Sequence, residues 1–288
     1  MANVLVTGAT GLLGSTLVPW LQERGHQVTR LGNTQATDIN ADLASYEQTA
    51  HALDQAKPEV IINLAALTNV DRCETHPHEA YLLNVKPVQS LCEWMRAVGQ
   101  PCHLIQISSD QLYDGVGPHA ENELTIRNHY AMSKLAGEFA AATVPSTILR
   151  TNFVGRSLRE GRISFTDWLH RVLRGTAPIN VFEDVMFSPL AISTLCDCID
   201  RSIAERPLGI FNLGSRDGMS KSDFAFAFAA ATGLPTTNLV RGNASATATL
   251  DARRPTDMRM HCERFEGRMG LRLPRLIDEI QEVARDYR

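Results

Sequence analysis

The chain has 288 residues, 44% of them hydrophobic and 21% charged, with a net charge of −4. That length gives one large or two modest domains with ample core, and the acidic balance argues against nucleic acid or an anionic membrane as the main partner. No apolar run approaches the roughly 20 residues needed to cross a bilayer. Met1 also leads within a few residues into a core strand, leaving no room for a signal peptide, so the cytoplasm is the expected compartment.

Residues 2–30, ANVLVTGATGLLGSTLVPWLQERGHQVTR, read as an apolar strand, a glycine-paced turn, an amphipathic helix and a second apolar segment. Leu12, Leu13, Leu17 and Leu21 recur at helical spacing. Gly8, Gly11 and Gly14 fall where a strand-to-helix turn needs backbone room, so a pyrophosphate can lie against main-chain N–H groups at the positive end of the helix dipole. Spaced glycines alone are weak, but the flanking strand and helix supply the context a dinucleotide site requires. Pro19 is a blemish inside the helix, where proline costs about 3 kcal/mol or forces a kink. The second strand ends near Val28–Leu31. An acid there suits the ribose of NAD, an arginine the 2′-phosphate of NADP. The chain offers Arg30 and no acid until Asp38, which favours NADP(H) while leaving NAD(H) open.

Further strands are predicted at Val60–Leu64, His103–Ser108 and Ser146–Arg150, with helices around Tyr46–Gln55, Pro77–Val98 and His129–Thr143. Such alternation predicts an α/β fold, a Rossmann-type doubly wound parallel sheet with its ligand crevice at the carboxyl ends of the strands. The six cysteines are scattered, and the pair Cys196 and Cys198 lacks partner ligands at metal spacing, so buried reduced thiols and no metal are expected.

Tyr130 and Lys134 stand four apart on a predicted helix and project from one face, just downstream of the strand HLIQIS, whose end presents Ser108 and Ser109. A phenol with an ordinary pKa near 10 trades protons poorly at neutral pH. A nearby ammonium lowers that value, and a serine hydroxyl can hold the same substrate oxygen. The combination is a carbonyl–alcohol interconversion site.

On TGATGLLG, NLAA (Asn63–Ala66), SSD (Ser108–Asp110) and YAMSK, the chain resembles the extended short-chain dehydrogenase/reductase superfamily acting on nucleotide sugars. Across nearly its whole length it resembles the dTDP-4-dehydrorhamnose reductase family. KLAGE, LRTNFVG and ARRP look familial too. The resemblance implies that Ser109 donates to the substrate oxygen, Tyr130 is the general acid, and Lys134 lowers the phenol pKa and binds the ribose. Gly8, Thr10, Gly11, Leu12, Leu13 and Gly14 would form the pyrophosphate loop, Asp42 and Leu43 would meet the adenine, and Ala65 and Ala66 would line the crevice. NADPH would then deliver hydride to the C4 ketone of a nucleotide-linked 4-keto-6-deoxy sugar.

Departures bear on the substrate. Gln111 stands where the family usually has tyrosine, and Phe153 replaces a tryptophan near the sugar. The family's acidic-Gln-x-Gly-x-Pro loop appears as EDVMFSP, where Met186 and Phe187 either wall a pocket or pack. Gln111 also separates the chain from nucleotide-sugar dehydratases, which use an Asp-Glu pair, since an amide cannot act as that base. A C4 epimerase remains an alternative, as does a non-catalytic NADP-binding partner protein resembling the regulatory subunit of methionine adenosyltransferase. A homodimer is left open.

Beyond Arg150 the alternation breaks. Helices are predicted at Phe165–Arg174, Pro189–Glu205 and Ser222–Thr232, the last capped by Ser220 or Ser222 with Phe224, Phe226 and Phe228 as core, and IFNLG reads as a strand. Arg254, in ARRP, is the candidate clamp for the substrate diphosphate. The expected division is 1–151 plus 185–212 for the dinucleotide domain, and 152–184 plus 213–288 for a smaller, discontinuous substrate-binding lobe.

Overall fold

The computed structural model describes all residues except 34–35, 100, 160 and 245–250. Its contacts divide the chain into two compact units: 1–109, 128–150 and 196–211 in the first, and 110–127, 151–195 and 212–288 in the second.

In chain order the elements are β1 (Asn3–Thr7), α1 (Gly14–Glu23), β2 (Gln27–Gly32), β3 (Ile39–Asn40), α2 (Tyr46–Ala56), β4 (Val60–Asn63), α3 (Val70–Thr75), α4 (Pro77–Asn84), α5 (Lys86–Val98), β5 (His103–Ile107), α6 (His129–Ala141) and β6 (Ser146–Thr151). There follow β7 (Phe153–Val154), α7 (Phe165–Leu173), β8 (Ile179–Phe182), β9 (Met186–Phe187), β10 (Leu190–Ala191), α8 (Ile192–Glu205) and β11 (Gly209–Leu213). The last are β12 (Met219–Ser220), α9 (Lys221–Thr232), β13 (Leu239–Gly242), α10 (Glu263–Met269) and α11 (Leu276–Ala284).

Seven strands form one sheet in the order β11-β6-β5-β4-β1-β2-β3, and β1–β2, β2–β3, β1–β4, β4–β5 and β5–β6 all pair in parallel. The doubly wound parallel sheet is therefore present. Its central strands are buried on both faces, as their continuous apolar runs require. Leu5, Ile61 and Leu104 pack with Leu53 of α2 and with Leu91 and Trp94 of α5. The order of strands reverses between β1 and β4, and at such a switch point the carboxyl ends open into a crevice.

The first helix runs unbroken through Pro19. Pro19 is exposed, so water can satisfy the carbonyl that the missing N–H leaves unpaired. The single helix expected over Pro77–Val98 is instead two, α4 and α5, meeting at Val85. Pro87, in the first turn of α5, has no N–H to continue α4 and clashes with the preceding turn.

The second unit is held differently. Its strands pair in short two-stranded sheets, β10 with β7, β12 with β9 and β13 with β8. Its core gathers Phe187, Phe224, Phe228, Leu169, Leu276 and Ile280. The helix α9 starts at Lys221, with Ser220 as its cap accepting the Asp223 N–H at 2.9 Å. Phe224 and Phe228 are fully buried, and the half-buried Phe226 lies under the Arg241 guanidinium, 4.8 Å from its ring centre. Besides one-residue shifts at 151 and 212, two segments fall in a different unit from that expected. Residues 110–127 belong to the second unit because Asp114 accepts from Thr256, and Tyr113 donates to Asn212 at 2.6 Å. Residues 185–195 join it through the pairings of β9 and β10. Neither tie is local in sequence.

All six cysteines are buried and unpaired with one another. Burial raises the thiols of Cys73 and Cys92 to about 11, and those of Cys102, Cys196 and Cys262 to about 12. Among the described residues no helix is long and apolar enough to cross a membrane.

Candidate active site

The glycine turn is shaped by two close approaches. Gly8 has φ +63°, and a side chain there would place Cβ 2.8 Å from the Ala65 nitrogen and the Leu64 carbonyl carbon. At Gly14 a Cβ would stand 2.5 Å from the Gly8 oxygen and 2.6 Å from the Ala9 Cα. These glycines let β1, β4 and α1 converge. Gly11 closes the turn, its N–H donating to the Gly8 carbonyl at 2.8 Å. The start of α1 has no side-chain cap and no acid in its first turn, which leaves the N-terminal dipole and N–H groups of Leu12, Leu13 and Gly14 suited to an anion.

A cavity of about 260 Å³ adjoins this turn and is lined by Gly8, Thr10, Leu31, Gly32, Asp42, Leu43, Ala65 and Ala66, among others. Most of the cofactor residues expected from sequence are thus brought together in the first unit. The lining is apolar with a few polar edges, as an adenosine site requires. Asp42 is fixed by its own loop, its N–H donating to Gln48 Oε1 and its carboxylate accepting the Ala44 N–H, both at 2.9 Å. The residues present fit a dinucleotide.

Arg30 does not line the cavity. It lies on β2 with its guanidinium forked onto Asp38, at 2.6 Å for the shortest bond, and its backbone N–H donates to the same carboxylate at 2.9 Å. Their bond raises the Arg30 pKa and lowers that of Asp38. The acid eight residues further along the chain is its immediate partner.

At the carboxyl ends of the strands three buried polar side chains form a ladder. Thr7 donates to Asn63 at 2.5 Å, Asn63 to Gln106 at 2.8 Å, and Gln106 to the Ile107 carbonyl at 3.1 Å. The register aligns them, Thr7 opposite Asn63 and Asn63 opposite Gln106. The Ile107 carbonyl also accepts the Lys134 ammonium at 2.7 Å. Lys134 is 5% exposed, and burial lowers its pKa to about 8 against the opposing charge of Glu138. Tyr130, also buried, stands one turn earlier on α6. The start of this helix is fixed by Asn128, which accepts the Ala131 N–H at 2.8 Å, and by Asn84 of α4, which donates to Ser133 at 2.8 Å and holds the backbone of Leu67.

Ser108 and Ser109 follow β5, both buried. Ser108 is committed to Glu138, at 2.5 Å, and Glu138 in turn forms a two-pronged ion pair with Arg150. This cluster was not foreseen. Its signal was present: an arginine ending a strand otherwise read as buried, and a glutamate four residues after Lys134.

Of the residues proposed for the substrate, Ser109 lies on the first unit, and Gln111, Phe153 and Arg254 lie on the second. Gln111 sits half-buried in a single 3-10 turn, Asp110–Leu112, in which Asp110 accepts from Asn152 at 2.6 Å. Phe153 is half-buried on β7, and Arg254 donates to the Ala252 carbonyl at 2.9 Å. Lys221, unforeseen behind its capping serine, has its pKa lowered by burial, with the charge of Asp110 opposing and that of Arg254 adding. Phe187 is core, meeting Phe165 edge-on at 6.2 Å and Phe224 at 5.4 Å. Arg259 is tied to Asp257 at 2.6 Å and to the Gly117 carbonyl.

The parallel sheet, its glycine turn, and the tyrosine and buried lysine on α6 define an oxidoreductase of the Rossmann type. The chain belongs to the family described as the RmlD substrate binding domain, whose pattern matches residues 1–288. It is 33% identical over 250 residues to a dTDP-4-dehydrorhamnose reductase of Sinorhizobium fredii, with 82% of each chain covered. It is 30% identical over 242 residues to the spore coat polysaccharide biosynthesis protein SpsK of Bacillus subtilis, covering 82% of this chain and 81% of that one. Among solved structures, the dTDP-4-dehydrorhamnose reductase of Bacillus anthracis in complex with NADP shares the fold, with a TM-score of 0.88, 21% identity and 98% of each chain covered.

Proposed function

We propose that this protein reduces the C4 ketone of a nucleotide-linked 4-keto-6-deoxy sugar, dTDP-4-dehydrorhamnose or a close analogue, with NADPH preferred over NADH. The observation that carries the reading is the buried Lys134 ammonium, held at the end of β5 one helical turn from Tyr130. The bound nicotinamide supplies the hydride. Tyr130 gives its proton to the ketone oxygen as that oxygen becomes an alkoxide, and Lys134 favours the phenolate left behind. Ser109 donates a hydrogen bond to the same oxygen and stabilises its growing charge. The commitment of Ser108 to Glu138 supports Ser109 in that role.

The glycine turn with its uncapped helix would hold the pyrophosphate, Asp42 and Leu43 the adenosine, and Arg30 the 2′-phosphate once it exchanges Asp38 for that anion. Arg254 would clamp the substrate diphosphate, with Phe153 and Gln111 meeting the sugar. Gln111, an amide, disfavours dehydration. The test is to incubate the protein with NADPH, and separately NADH, and a panel of 4-keto-6-deoxy sugar nucleotides while following absorbance at the reduced nicotinamide band. Oxidation dependent on the ketosugar is expected. If no member of the panel consumes either cofactor, the reading fails.

A further inference from the structure

Glu138 and Arg150 take no part in the chemistry just described, yet each side chain is only 1% exposed. Arg150 Nη2 donates to Glu138 Oε2 at 2.6 Å and its Nε to Oε1 at 2.9 Å. Withdrawing two charges from water commonly costs more than their attraction returns, and a well-packed apolar pair often serves stability as well or better. A buried pair therefore calls for another reason to be there.

Its position supplies one. Glu138 is on α6 one turn beyond Lys134, and Arg150 is on β6 beside the end of β5. The Ser108 hydroxyl donates to Glu138 Oε1 at 2.5 Å, and the Ser108 N–H donates to the Leu149 carbonyl at 2.7 Å. One residue earlier, the Ile107 carbonyl accepts the Lys134 ammonium. Three elements thus meet at one carboxylate.

We infer that the Glu138–Arg150 pair is a positioning device: it turns Ser108 inward and fixes α6 against the end of β5, so that Ser109 keeps one relation to Tyr130 and Lys134. Apolar residues could fill the same space but could not bind a hydroxyl in a single rotamer. Glu138 is also the carboxylate that acts on Lys134 from its own helix, while Cys73 of α3 faces the ammonium from outside it. With burial holding the Cys73 thiol up at about 11, Glu138 is the negative neighbour that favours the lysine's charged form near pH 8. The inference rests on the assignment of Ser109, Tyr130 and Lys134 as the reacting groups.

The test uses the full chain as wild type, Ser108→Ala, Glu138→Gln and the double variant Glu138→Leu/Arg150→Met. NADPH binding is read by fluorescence, and kcat, KM and the pH profile of kcat with the accepted ketosugar. Ser108→Ala is expected to bind NADPH as wild type does and to lose about tenfold in kcat with KM little changed, as a displaced reacting group would cause. In Glu138→Gln the alkaline limb of kcat should move to lower pH, because Lys134 loses the charge that favours its ammonium. The double variant leaves no unpaired buried charge and should keep both defects. Wild-type kcat and pH profile in Ser108→Ala and the double variant overturn the inference, even if Glu138→Gln alone is impaired. Should both Glu138 variants fail to fold, Ser108→Ala decides by its kcat. A wild type that turns over no ketosugar refutes the proposed function instead.

Discussion

In the first unit the strands pair in parallel register, and Thr7, Asn63 and Gln106 satisfy one another at the carboxyl ends. In the second unit the paired strands are two to four residues long, and buried carboxylates do much of the joining. Asp114 takes the N–H and the hydroxyl of Thr256 at 2.8 Å and the Arg127 Nε at 2.5 Å. Glu279 takes the Thr194 hydroxyl at 2.9 Å and the Ala191 N–H. One unit is ordered by a repeating ladder, the other by single bonds between residues far apart in the chain. A ladder tolerates polar variation at its ends, where ligands bind. A scaffold of single bonds concentrates its stability in a few side chains.

The largest expected effect separates chemistry from architecture in the first unit. Tyr130→Phe should lower kcat by about 10²–10⁴-fold while thermal unfolding and NADPH affinity stay near wild type. Turnover within tenfold of wild type would remove Tyr130 as the acid. Next is the second unit's aromatic core. Phe224, fully buried between Phe165, Phe187 and Phe228, should cost about 3–5 kcal/mol when cut to alanine. Hydrogen exchange should then speed over α7 and α9. Unchanged protection there would mean this cluster does not carry the unit.

A smaller effect probes the carboxylate bonds through pH. Burial is the largest influence on Asp114 and pushes its pKa up, but the bonds from Thr256 and Arg127 together bring it down to about 2. An acid with a depressed native pKa stabilises the fold at neutral pH, and that stability is lost as pH falls from the unfolded value near 4 through about 2. Asp114→Asn should therefore cost about 2 kcal/mol at pH 7 in urea unfolding and flatten the acid dependence below pH 4. An unaltered acid limb would assign that dependence to other groups. The smallest stability change belongs to Arg30→Ala. The Arg30–Asp38 pair is about 40% exposed on each side, so its loss should cost at most about 1 kcal/mol. The same variant should weaken NADPH about tenfold, the worth of one charged hydrogen bond, with NADH nearly unchanged. Equal weakening of both would deny Arg30 the 2′-phosphate.

Much of the first unit could be read from the chain because its signals are local. The strand of residues 3–7, the turn at Gly8, Gly11 and Gly14 and the leucines of α1 lie within one short stretch, and Tyr130 and Lys134 share a face by helical period alone. The second unit resisted for the opposite reason. Residues 110–127 look like a loop of the dinucleotide domain until Asp114 meets Thr256 and Tyr113 meets Asn212. The split at Val85 was legible in Pro87 and was missed because the apolar period continues across it.

By itself the sequence determined the parallel α/β sheet, the dinucleotide turn and the tyrosine–lysine pair, since strand period, glycine stereochemistry and helical spacing act between near neighbours. The tertiary structure alone decided that Asp38 engages Arg30, that Arg150 and Glu138 neutralise each other beneath Ser108, and which segments make up the second unit. Charges and hydroxyls take their partners from whatever the fold brings within 3 Å or so, and distance along the chain carries no record of that choice.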